Sequence, residues 1–151
     1  MYLKFQGAEP TRQTSGAAGY DLCAAGPGII QPGDMLAVST GTYIDLHPTF
    51  DDNENGAAPL AGLVLPRSGL AVKHGVTVLN GPGLIDPDYR GEIKVLLINH
   101  GKRAFVFSAH DRIAQLLLVP FNTPWFMRGE LSETERGVGG FGSTGVENAK
   151  T

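Results

Sequence analysis

Apolar and polar positions alternate along this chain in short runs. "MYLKF", "GYDLC", "MLAVSTGTYIDL", "LAGLVLP", "GVTVLN", "GEIKVLLIN", "RAFVFSA" and "RIAQLLLVPF" are rich in apolar or β-branched residues. Breaks such as "GPG", "QPGD", "DPDYRG", "HGKR" and "AHDR" separate them. Successive strand residues face opposite sides, and closely spaced runs divided by Gly/Pro turns predict an all-β sandwich or barrel. One stretch departs from the two-residue period. "RSGLAVKHG", Arg67 to Gly75, predicts a short helix that Ser68 caps and Gly75 ends. "LNGPGLIDPDYRGEI", Leu79 to Ile93, reads as a hairpin with a tight Gly/Pro tip, followed by two acids and a Tyr. "DDNENGAA", Asp51 to Ala58, is acidic and polar and reads as an exposed loop. No internal repeat is present.

Composition narrows this picture. A chain of 151 residues is long enough for one domain with a real core, and 42% hydrophobic content argues against disorder. The 21 Gly and 10 Pro, with only 18% charged residues, suit a turn-rich β protein better than a helical bundle. The single cysteine, Cys23, excludes a disulfide framework and a cysteine-rich zinc site. Following Leu22, it is expected as a small core residue. No apolar run reaches the roughly 18 residues of a membrane span, and the N-terminus lacks the apolar region of a secretory signal. A cytoplasmic protein with no membrane partner is expected. A net charge of −3 gives no global field for nucleic acid, so any anionic ligand must be held by local cations.

The sequence lacks a G-x-x-x-x-G-K-[ST] loop, an H-E-x-x-H pair and a G-x-S-x-G elbow. His47, His74, His100 and His110 have no metal-ligand spacing and read as surface or hydrogen-bonded structural residues. Five other places carry candidate chemistry. "PRSGLA" sets Arg67, Ser68 and Gly69 at a helix start, where backbone N–H groups favour anions and a guanidinium suits phosphate. "LNGPGLIDPDYRGEI" carries Asp86 and Asp88, which also suit a plain turn. "DRIAQLL" places Arg112 and Gln115 inside an apolar run, where a polar side chain requires a fixed partner. "AGYDL" puts Asp21 inside a strand, an unfavourable place for an acid. "RGVGGFGSTG" has five glycines among ten residues, yet also a cation, a ring and two hydroxyls. A frayed terminus would need none of those.

In their order along the chain these five stretches resemble the five motifs of the trimeric dUTP diphosphatases, the dUTPases. The resemblance runs from about Ala17 to Gly145 and implies a β-jelly roll, or distorted barrel, with one short helix. It also implies a homotrimer with active sites between subunits. Residues 1–135 would form the barrel domain, and residues 136–151 a lid completing a neighbour's site. The expected reaction is attack of water on the α-phosphorus of dUTP, giving dUMP and pyrophosphate. By the same resemblance, Asn80, Leu84, Ile85 and Lys94 surround the uracil and Tyr89 lies under the deoxyribose. Asp86 orients and deprotonates the water. A carboxylate is a weak base at neutral pH, so positioning and phosphate electrostatics should supply much of the acceleration. Arg67, Ser68, Gly69 and Gln115 would meet phosphates. Arg136 would meet the γ-phosphate, Phe141 would stack on uracil, and Ser143 and Thr144 would bond phosphate oxygens. Mg²⁺ would ride on the triphosphate, with Asp21 acting on it only indirectly, through water or through Arg67.

A dCTP deaminase of the same fold carries a catalytic Glu on the strand after its "IDP" turn. The aligned position here is Leu96. A regulatory binding protein on the same scaffold is the other alternative, with "DDNENGAA" as its candidate contact.

Overall fold

A computed structural model describes residues 1–49 and 59–140. The chain forms eleven strands and one helix among these residues. They are β1 (Tyr2–Gly7), β2 (Tyr20–Cys23), β3 (Gly28–Ile30), β4 (Met35–Ser39), β5 (Thr42–Thr49), β6 (Leu60–Leu65), α1 (Ser68–His74), β7 (Val76–Val78), β8 (Gly83–Ile85), β9 (Lys94–Asn99), β10 (Phe105–Phe107) and β11 (Arg112–Pro120). Every ladder is antiparallel. A four-stranded sheet runs β2-β11-β6-β8, a three-stranded sheet β4-β9-β7, and two ribbons pair β1 with β5 and β10 with β3. This is the all-β jelly-roll class expected from the sequence.

The alternation of the apolar runs explains how the sheets close on one core. In β9, Val95, Leu97 and Asn99 face inward while Leu96 and Ile98 are half-buried. In β10, Phe105 and Phe107 are buried and Val106 between them is exposed. They join Leu22, Ile30, Leu46, Ile113 and Leu116 in one cluster, each burying a side chain worth about 1.5–3 kcal/mol. The polar members of this interior are fully partnered. Asn99 is inaccessible; its Nδ2 donates to Ile30 O (2.9 Å) and Arg103 O (2.8 Å), and its Oδ1 accepts from Gly101 N (2.8 Å). Thr40 Oγ1 donates to Ile93 O (2.6 Å) and accepts from Thr42 N (3.1 Å).

The structure corrects the sequence reading in five places. "MLAVSTGTYIDL" is two strands, not one: Gly41 takes φ 67°, which turns the chain out of β4 and into β5. The segment around Gly81–Pro82, whose peptide bond is cis, does not join a paired hairpin. β7 pairs with β9 and β8 with β6, so this turn hands the chain from one sheet to another. β3, whose three residues Gly28–Ile30 directly follow a Gly/Pro break, is a strand absent from the runs read in the sequence. Ser68 does not cap α1. Arg67 occupies the N-cap position with extended backbone and no side-chain cap, and Ser68 is the first helical residue. Gly75 does end the helix, in left-handed conformation (φ 69°), with its N–H on Ala71 O (3.0 Å). Finally, Cys23 is half-buried at the end of β2 rather than in the core.

The last strand ends at Pro120, and residues 121–140 form no strand or helix. Trp125, Phe126, Met127 and Leu131 on this arm are all more than nine-tenths exposed. The loop read as "DDNENGAA" lies outside the described residues.

Candidate active site

Strand register assembles the first cluster. Gln115 in β11 sits opposite Asp21 of β2 on one side and Leu65 of β6 on the other. β6 then leads through Pro66 to Arg67 and α1. Three sequence-distant polar groups thus reach one end of the four-stranded sheet. Asp21, only 12% exposed in its side chain, lies between two guanidinium groups: Arg67 Nε is 3.5 Å from Oδ1 and Arg112 Nη1 is 3.3 Å from Oδ2. Arg67 Nη1 also donates to Arg112 O (2.8 Å), and Gln115 Nε2 donates to Pro66 O (3.0 Å). The unfavourable strand acid and the polar residues in an apolar run therefore account for one another. Two cations to one carboxylate leave the cluster with excess positive charge. The first helical N–H groups, those of Ser68 and Gly69, have no acceptor among the described residues, as expected of a helix start. The cleft they line holds about 230 Å³. Gly19 belongs to its wall because a side chain there would strike the Gln115 amide. Beside it, burial first and the Asp21 carboxylate second push the Cys23 thiol above its ordinary value.

The second cluster lies where β8 leads into β9. Leu84, Ile85, Asp86, Tyr89, Glu92 and Lys94 line another cleft of about 230 Å³. Asp86 opens a tight turn closed by Tyr89 N on Asp86 O (3.1 Å). The Tyr89 ring folds back so that Oη donates to Glu92 O (3.0 Å). Gly91 leaves room for the phenol; a Cβ there would collide with the hydroxyl end of the ring. Glu92 ties the wall to the β4–β5 turn, accepting from Gly41 N (2.8 Å) and lying 3.8 Å from Lys94 Nζ.

Of the residues singled out from the sequence, Arg67, Ser68, Gly69, Gln115 and Asp21 come together in the first cleft, and Leu84, Ile85, Asp86, Tyr89 and Lys94 in the second. The two clefts share no lining residue. Asn80 lines neither; it sits on the turn after β7 with its amide against Gly83. Arg136 lines neither, and its Nε donates to Gly139 O (2.9 Å) within the exposed arm. Phe141, Ser143 and Thr144 lie outside the described residues. Sequence reasoning did not assign Arg112 or Glu92 to the site. A signal for Arg112 existed, since a strand acid needs a neighbouring cation.

The sequence model described as dUTPase matches residues 6–145. The chain belongs to the dUTPase family. A deoxyuridine 5'-triphosphate nucleotidohydrolase of Nautilia profundicola is 47% identical over 137 residues, covering 90% of this chain and 89% of that one. Its counterpart in Rickettsia felis is 47% identical over 145 residues, covering 94% and 91%. The fold is that of a solved Staphylococcus bacteriophage 80alpha dUTPase with dUPNHPP, with a TM-score of 0.81, 24% identity and coverage of 96% of this chain and 99% of that one. The dUTPase family model thus spans both clefts and the start of the glycine-rich tail.

Proposed function

We propose that this chain hydrolyses dUTP to dUMP and pyrophosphate at sites completed by neighbouring copies in a homotrimer. The observation that carries this reading is the division of the site in a dUTPase-family chain. One surface offers an arginine-rich, anion-suited cleft, and another offers a carboxylate beside an aromatic ring, with no residue in common. In this reading Arg67, Ser68, Gly69 and Gln115 hold phosphate oxygens, and Asp21 orients Arg67 through its ion pair. Leu84, Ile85, Lys94 and Asn80 border the uracil, and Tyr89 lies against the deoxyribose, where a 2′-hydroxyl would collide. Uracil offers an acceptor at O4 and a donor at N3, and cytosine reverses both. A wall of fixed backbone groups is left unpaired by cytosine, which supports discrimination of about 10⁴-fold.

Asp86 orients the attacking water and takes its proton as the water oxygen bonds to the α-phosphorus and pyrophosphate leaves. Arg136, Phe141, Ser143 and Thr144 act from the tail of a neighbouring copy, with residues 1–135 as the body and 136–151 as the lid. Four fully exposed apolar side chains on the arm leading to that tail favour a covering partner, since soluble proteins rarely leave such surface bare.

Both Asp21 oxygens face arginines, so this carboxylate does not fit a direct metal ligand. Among the described residues no group of three acidic, His or Cys side chains converges on a metal position. Mg²⁺ would therefore enter with the substrate, bound to the triphosphate oxygens. The position that carries a catalytic Glu in dCTP deaminases is Leu96, a half-buried residue of β9 without a proton to move. The test is an assay with Mg²⁺ against dUTP, dCTP, dTTP and UTP, with products resolved by ion exchange. Selective formation of dUMP and pyrophosphate is expected; release of ammonia from dCTP overturns the reading in favour of deamination.

A further inference from the structure

Building on that assignment of Asp86, we propose that Arg90 and Asp45 form a strut that holds the Asp86 turn in its working geometry, making Arg90 a positioning residue. Its guanidinium makes three hydrogen bonds. Nη1 donates to Pro87 O (2.6 Å) and Tyr89 O (3.0 Å), the carbonyls on either side of Asp88 in the turn that Asp86 opens. Nη2 leaves the turn and donates to Asp45 Oδ1 (3.0 Å). Asp45 stands in β5, opposite Lys4 of β1, and is itself fixed. The same Oδ1 accepts from His47 Nδ1 (3.0 Å) and from the His47 backbone N–H (3.1 Å). The Asp86 turn therefore has a footing on a paired strand 45 residues distant in sequence.

Stability does not account for this arrangement. The Arg90 and Asp45 side chains are 53% and 34% exposed, and ion pairs so open to water add little to folding. Geometry does account for it. Asp86 is exposed and stands outside regular structure, and within the turn its backbone is closed by the single bond from Tyr89 N. Attack on phosphorus is sensitive to misplacement of a base by about 1 Å. A planar fork can bond two carbonyls and a carboxylate at once, which a lysine ammonium on a flexible stem cannot reproduce.

The experiment compares full-length wild type with Arg90→Ala, Arg90→Lys, Asp45→Asn and the Arg90→Ala/Asp45→Asn double variant, using dUTP and Mg²⁺. We expect kcat to fall about tenfold in Arg90→Ala and Asp45→Asn, with KM changing less than about threefold and melting temperature nearly constant. Arg90→Lys should resemble Arg90→Ala, and the double variant should be no slower than Arg90→Ala alone. A kcat in Arg90→Ala within about twofold of wild type, per folded chain, overturns the strut. Wild type inert toward dUTP overturns the functional reading instead. Amide exchange at Tyr89, expected to quicken in Arg90→Ala, then decides whether the strut holds the turn.

Discussion

Gln115 donates its side-chain amide to the carbonyl of Pro66 across 3.0 Å, fastening β11 to the residue that precedes Arg67. The bond sets the distance between the strand that carries Arg112 and the helix start that carries Ser68 and Gly69. Gln115→Glu keeps the size but turns a donor into an anion facing a carbonyl and the proposed triphosphate. Steady-state kinetics should show kcat/KM reduced at least about tenfold, the scale of one lost charge-assisted contact of roughly 1.5–3 kcal/mol. An unchanged kcat/KM would remove Gln115 from the phosphate site.

Asp86 and the tail are proposed to act from different chains. Asp86→Asn should lower kcat about a hundredfold or more with little change in substrate affinity. Truncation after Glu135 should lower kcat/KM about a hundredfold while leaving the ligand-free melting temperature unchanged. Mixing these two inactive chains and allowing subunits to exchange should restore activity, because some sites then pair an intact Asp86 with an intact tail. Mixed assemblies as inactive as either parent would place base and tail on the same chain.

Gly91 lies under the Tyr89 phenol, so a methyl there meets the end of a side chain rather than backbone. The ring, not the fold, is what must yield. Gly91→Ala is expected to lower the dUTP-to-UTP ratio of kcat/KM about tenfold with a nearly constant melting temperature. Tyr89→Ala should weaken the same ratio. If neither variant moves it, Tyr89 does not gate the sugar.

Asn99, itself inaccessible to solvent, satisfies three backbone groups. Asn99→Ala removes donors from Ile30 O and Arg103 O and an acceptor from Gly101 N. The loss should be about 3 kcal/mol or more in urea unfolding, larger than for the exposed Asp45 pair.

Asp45 gives an acid dependence with a definite sign. Its partial burial opposes the charge, but the His47 hydrogen bonds and the Arg90 guanidinium outweigh this and hold the carboxyl below its ordinary value of 3.8. A depressed folded value means that its contribution is fully present above 3.8 and is lost as pH falls through the lower folded value. Wild type should therefore exceed Asp45→Asn only slightly in urea unfolding at neutral pH, by too little to move the melting temperature appreciably, and that small gap should close in strong acid. A gap independent of pH would show that the carboxylate charge plays no part.

The long strands could be read from alternation alone, since β6, β9 and β11 coincide with the apolar runs. Chemistry at the first cleft was legible as misfits: an acid in β2 and two polar residues in β11 make sense only once register sets them side by side. The strut could not be read this way. Arg90 is exposed and Asp45 half-buried, each in an ordinary place, and their meeting depends on how β5 passes the turn after β8. The β7–β8 connection misled for a related reason: a Gly/Pro tip fixes a reversal of the chain but not which edges the flanking strands will find.

The single tryptophan of the chain, Trp125, stands on the arm beyond β11 and is 99% exposed. Its fluorescence is consequently an optical channel for that arm and for nothing else in the protein. An uncovered indole emits at long wavelength and is readily quenched by iodide; an indole enclosed by a neighbouring copy emits to the blue and is shielded. Serial dilution of unlabelled protein, followed in a fluorimeter, would therefore test whether a neighbouring copy covers the arm, independently of any nucleotide.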